Sequence, residues 1–100
     1  IERMKNVAYL WEPRGAWPDD VLIDVCRELD LVHTVDPFLR DSVTPEFTYW
    51  RLHGIGSAYR AYTDEELQSL AARVAHENTW VMFNNIPRVA DATRFMALTR

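Results

Sequence analysis

Short apolar runs alternate along this chain with segments whose apolar residues recur every three or four positions. Asn6 to Trp11 reads Asn-Val-Ala-Tyr-Leu-Trp and has no polar face, which predicts a parallel strand covered on both sides. Glu12-Pro13-Arg14-Gly15 stops it. Pro18-Asp19-Asp20 opens a helix, because Pro suits a first turn and acids suit the positive end of the dipole. Val21, Leu22, Val25, Cys26 and Leu29 give that helix its apolar face. Leu31 to Val35 is a second strand ending at Asp36, followed by a loop with Pro37 and Pro45 to about Glu46. A short or irregular helix could lie within that loop.

Phe47 to Trp50 is a third strand, aromatic and β-favouring. It ends at Arg51-Leu52-His53-Gly54, and a loop with Tyr59 and Tyr62 follows. Thr63-Asp64-Glu65-Glu66 is a capping-box pattern; Leu67, Leu70, Ala71 and Val74 continue it as a helical face. Thr79 to Phe83 is a fourth strand, ending at Asn84-Asn85. Pro87 breaks the chain, and a last helix runs from about Val89 to Thr99 with Ala92, Phe95 and Met96 inward. Strands alternating with helices predict an α/β fold with a parallel sheet. Residues 1–100 read as a single unit.

In such folds ligands bind beyond the C-terminal ends of the strands. The residues there are Glu12 and Arg14, Asp36, Arg51 and His53, Asn84 and Asn85. Side chains alternate along a strand, so Arg51 and His53 share one side and Leu52 takes the other. Leu52 suits the helix layer, which leaves Arg51 and His53 facing the site.

Composition narrows the setting. The net charge is -4 and the eleven basic residues, ten of them Arg, are scattered. No basic stripe marks a nucleic-acid surface. Cys26 is the single cysteine, which excludes an intrachain disulfide framework. No apolar run reaches the ~18 residues of a membrane span and no signal peptide is visible. These features lead us to expect a cytoplasmic protein that binds neither nucleic acid nor membrane. The chain opens on Ile1 rather than Met, and we expect it to start part-way through a longer protein.

Several motifs then fall together: Glu-Pro-Arg-Gly-Ala-Trp at 12–17, a strand ending in Asp36, Tyr-Trp-Arg-Leu-His-Gly at 49–54, Tyr62 ahead of the Thr-Asp-Glu-Glu-Leu helix start, and Phe-Asn-Asn at 83–85. From about Val7 to Met96 the chain resembles the C-terminal part of a TIM-barrel family of unestablished activity, domain of unknown function 72, the YecE-like proteins. The resemblance implies the last four β/α units of a (β/α)₈ barrel. A full barrel needs roughly 250 residues, so the N-terminal half, or another chain, would complete it. By similarity Glu12, Arg14, Trp17, Asp36 and Arg51 match motif positions of the family. So do His53, Gly54, Tyr62, Asn84 and Asn85. Ile55 and Gly56 depart from the more polar loop expected before Tyr62.

Three functions are open at this point. The first is an enzyme that binds a small phosphorylated or carboxylated molecule. Arg14 and Arg51 would grip the anion, since a guanidinium matches two oxygens. His53 with Glu12 or Asp36 would move protons, imidazole being the side chain suited to exchange near neutral pH. Trp17, Tyr62, Asn84 and Asn85 would contact the substrate. The second is a metal-dependent hydrolase, phosphodiesterase-like, with Glu12, Asp36 and His53 as ligands. No cofactor is otherwise implied. The third is a non-enzymatic binding or structural domain in which the same charges only satisfy one another. For single residues the plain alternatives are ion pairs for Arg14 and Arg51, a satisfied structural ring for His53, and packing for Trp17 and the tyrosines. His33, mid-strand, and His76, near a helix end, read as structural or surface residues. Trp11, Trp50 and Trp80 read as packing, and Cys26 as inert.

Overall fold

The computed structural model describes residues 7–74 and 78–99; His76 and the Asn6 start of the first expected strand lie outside them. It is an α/β protein whose described residues form four strands and three helices. In chain order these are β1 (Tyr9–Trp11), α1 (Asp19–Leu29), β2 (Leu31–His33), β3 (Thr48–Leu52), α2 (Asp64–Ala72), β4 (Thr79–Phe83) and α3 (Arg88–Leu98). β1 pairs with β2 and β3 with β4, both in parallel. The two sheets meet at a parallel bridge between Val35 and Trp50, where the Arg51 N–H donates to the Val35 carbonyl at 3.0 Å. The spatial order of the strands is therefore their chain order.

α1 starts where Pro18 ends an extended backbone and Asp19 and Asp20 fill the first turn. It stops at Asp30, which takes a left-handed conformation at φ 53°, a conformation Asp tolerates better than most residues. Only Leu22 and Cys26 are buried on this helix; Val21 and Leu29 are exposed. The five-residue stripe expected from spacing is thus an i,i+4 seam, because a two-stranded sheet beneath it covers little of the helix. α2 carries a complete capping box: the Glu66 N–H donates to the Thr63 hydroxyl, and the Glu66 carboxylate accepts from the Thr63 N–H.

The core lies between the β3–β4 sheet and α2 and α3. Val35, Trp50, Leu52, Tyr62, Leu67, Leu70 and Phe95 form it, with Phe38, Val81 and Phe83 packed against them. Burying each Leu-sized side chain stabilises by about 1.5–3 kcal/mol, so this cluster dominates the cohesion of the fold. α3 buries Asp91 and Phe95, while Met96 is exposed. Its inward face is rotated from the expected Phe95–Met96 stripe because Asp91 has polar partners inside. The 36–46 connection holds a turn, with Leu39 and Arg40 N–H groups donating to the Asp36 carbonyl, and no helix.

The opposite sheet face is open. Leu10, Trp80 and Met82 are exposed, and Ala8, Leu10, Phe47, Tyr49, Asn78 and Trp80 line a hollow of about 340 Å³. Trp80, expected in packing, is 57% exposed: alternation sends it away from Val81 and Phe83, which face the helices. No described helix is long and apolar enough to cross a membrane.

Candidate functional site at the strand ends

Glu12 follows β1 directly and its carboxylate bridges two residues at the end of β3. Arg51 Nη1 donates to Glu12 Oε1 at 2.6 Å, and His53 Nε2 lies 3.2 Å from Glu12 Oε2. Leu52 between them is fully buried among the helices. All three polar side chains are part-exposed, at 30% for Glu12, 39% for Arg51 and 42% for His53. A carboxylate only accepts, so His53 Nε2 carries the proton in this contact. Nδ1 of that ring has no hydrogen-bond partner among the described residues.

Asp36 is 7% exposed and has a different task. Its Oδ1 accepts from the Phe38 N–H at 3.0 Å and its Oδ2 from the His53 N–H at 3.1 Å. It thereby fastens the end of β2 to the end of β3 and fixes the backbone that carries His53. Gly54 follows in a left-handed conformation, φ 98°, and a Cβ there would sit 2.2 Å from the Ser57 carbonyl oxygen. Only glycine fits this turn. The Gly54 N–H donates to the Tyr62 hydroxyl at 2.8 Å.

A cleft of about 410 Å³ opens beside the triad, between the ends of β1 and β2, the start of α1 and the 36–40 turn. Glu12, Trp17, Asp36 and His53 line it, as do His33, Thr34, Leu39 and Arg40. Trp17 stands at the rim, edge-on to Trp11 at 5.4 Å, and its indole N–H donates to the Arg14 carbonyl at 2.7 Å. The Arg14 side chain is exposed, and neither it nor Arg51 is among the residues that line the cleft. Arg51 is committed to Glu12.

Tyr62, Asn84 and Asn85 do not line the cleft. Tyr62 is buried, stacked on Phe38 and edge-on to Phe83; burial pushes its hydroxyl up to about 12. Asn85 is buried too, donating through Nδ2 to Asp91 Oδ2 at 2.8 Å and to the Arg60 carbonyl at 3.1 Å. Asp91 Oδ2 also accepts the Tyr62 N–H at 2.9 Å, and Arg94 bridges Asp91 to Asp64. This is a polar clamp behind the strand ends, built around a buried carboxylate that is fully partnered, as a buried charge must be. Asn84 is exposed at the end of β4. Among the described residues no three His, Cys, Asp or Glu side chains gather as a metal-ligand set.

Two cleft residues escaped the sequence reading. His33 reads from the sequence as a structural or surface residue, and Arg40 lies in a loop without a motif. Neither has a sequence signal; Arg40 is placed by the turn that Asp36 closes, and His33 by the 42–44 loop.

No family model, curated protein or solved structure matches the chain.

Proposed function

We propose that this chain supplies the last four β/α units of a (β/α)₈ barrel of the YecE-like type and carries a proton-transfer site at its mouth. Support for the barrel is threefold: parallel strands in chain order, helices against one face, and an uncovered apolar opposite face. In a closed barrel that face would be the packed interior. The other half of the wall, from the same protein or another polypeptide, would cover Leu10, Trp80 and Met82.

The observation that carries the functional reading is the Glu12 carboxylate held between Arg51 and His53 at the rim of a cleft. Arg51 fixes the carboxylate; the carboxylate orients the ring and stabilises the imidazolium formed when Nδ1 takes a proton. This is the logic by which a carboxylate supports a histidine base. The substrate class is a small phosphorylated or carboxylated molecule, and the reaction is proton transfer to or from it, hydrolysis included. Trp17 at the rim, and the exposed Arg14 between two lining residues, would meet the substrate.

The test uses the full chain with its completing half. Binding of inorganic phosphate and turnover of p-nitrophenyl phosphate and p-nitrophenyl acetate are compared in wild type, Arg51→Ala and His53→Ala. Loss of the acid–base pair lowers turnover by about 10²–10⁴-fold. Binding and turnover unchanged in both variants would end this reading.

A further inference from the structure

His33 is 1% exposed, yet it lines the cleft. The 42–44 loop clamps every other polar group it has. Its N–H donates to the Thr44 hydroxyl at 2.9 Å, its carbonyl accepts from the Ser42 hydroxyl at 2.9 Å, and its Nδ1 accepts the Val43 N–H at 3.0 Å. The Ser42 and Thr44 side chains are themselves 3.1 Å apart, and the Thr44 N–H donates to the Ser42 hydroxyl. A ring nitrogen that accepts a backbone N–H carries no proton, so in the neutral ring the proton sits on Nε2. Nε2 has no hydrogen-bond partner among the described residues. The loop satisfies three polar groups of a residue that lines the cleft and leaves its fourth, a donor, for a ligand to meet.

Arg40 forms the neighbouring wall. Its Nη2 donates to Asp19 at 3.0 Å and its Nε to the Asp41 carbonyl at 2.9 Å, which holds the guanidinium in place and leaves Nη1 unengaged. Burial first, and the nearby Arg40 charge second, push the His33 ring below its usual value, while Asp19 opposes them. The ring therefore stays a neutral donor, and the positive charge beside it belongs to Arg40.

We infer that the cleft holds an oxyanion between the His33 Nε2–H and the Arg40 guanidinium, so that the acidic group of the ligand sits at the end of β2 and its reacting part reaches His53. The inference rests on the anion-binding reading above and moves the anion contact from Arg14 to residues that reading does not use. A phosphate and a carboxylate share this chemistry. A neutral donor beside a fixed guanidinium suits both, and an unprotonated Nδ1 held by a backbone N–H rules out metal ligation through Nε2 in that tautomer.

Imidazole ¹⁵N spectra of the full chain, titrated separately with inorganic phosphate and with acetate at pH 7, test it. His33 is expected to show a protonated Nε2 and an unprotonated Nδ1 before any addition, and its Nε2 signal to move saturably. The tighter anion names the class. Arg40→Ala, a part-exposed loop change that leaves the core intact, is expected to weaken this binding about tenfold or more, the loss of one charge-assisted contact. Saturable movement of His53 alone would overturn this inference and leave the proton-transfer reading standing. An Nδ1-protonated His33, or no movement at His33 with either anion, would also overturn it.

Discussion

The Tyr62 hydroxyl accepts the Gly54 N–H at 2.8 Å, tying the loop before α2 to the turn that carries His53. Tyr62→Phe keeps the ring and deletes the acceptor. Leaving that part-buried donor unpaired costs about 1–3 kcal/mol, read as a lower denaturation midpoint with an unchanged m-value. The same substitution has a pH signature. Burial raises the folded-state value of the phenol to about 12 from its usual 10, so the unfolded chain loses the proton first. The stability is complete below pH 10 and falls as pH rises from 10 towards 12; Tyr62→Phe removes that part of the alkaline slope. An identical alkaline slope in both proteins contradicts the assignment.

His33 gives the opposite limb. Its folded-state value is lowered from the usual 6.5, by burial first, so the unfolded chain takes up the proton first. Stability is complete above pH 6.5 and declines as pH falls through the window below it. Urea melts at a series of pH values between 7 and 5 should show this decline, and His33→Gln should flatten it. A wild-type stability that rises on acidification through that window would contradict the buried neutral ring.

Glu12→Gln separates function from stability. The Glu12–Arg51 pair is part-exposed, and such pairs contribute about 0–1 kcal/mol. The variant should melt close to wild type while losing turnover of any substrate processed at the mouth. A large fall in stability with turnover preserved would recast the triad as a structural ion-pair network.

The open sheet face predicts association. Leu10, Trp80 and Met82 are 44–57% exposed, an apolar face of the kind that marks an association surface. Sedimentation of the 100-residue chain by itself should give a mass above its 11.7 kDa, and Trp80→Ser with Met82→Lys should shift it towards monomer. A wild-type monomer across the concentration range contradicts the half-barrel reading.

The parts of this fold visible in the sequence are those governed by local rules. The Thr63–Glu66 capping box and the Thr79–Phe83 strand lie where their residues place them, because caps and β-branched or aromatic runs act within a few positions. Strand alternation separated Arg51 and His53 from Leu52, and the two polar residues do reach one carboxylate. The rest depends on long-range partners. Trp80 looks like a core residue and is exposed, because burial on that face needs a surface these strands do not provide. Met96 yields its inward place to Asp91, whose burial depends on Tyr62 and Asn85 arriving from other segments and on Arg94 one turn along the same helix. Arg40 gains its place from the turn at Asp36, 17 residues from the His53 N–H that Asp36 also holds, and His33 from the 42–44 loop that folds back on it.

On the proposed reading, the working end of this protein is where the strands finish. Amide ¹H–¹⁵N spectra of the full chain with added inorganic phosphate test it most directly. Perturbed amides are expected to cluster at Glu12, Thr34, Asp36, Arg40 and His53, while Tyr9, Leu31, Thr48 and Thr79 at the strand starts stay still. Perturbations centred on the strand starts, or spread evenly over the surface, would contradict it.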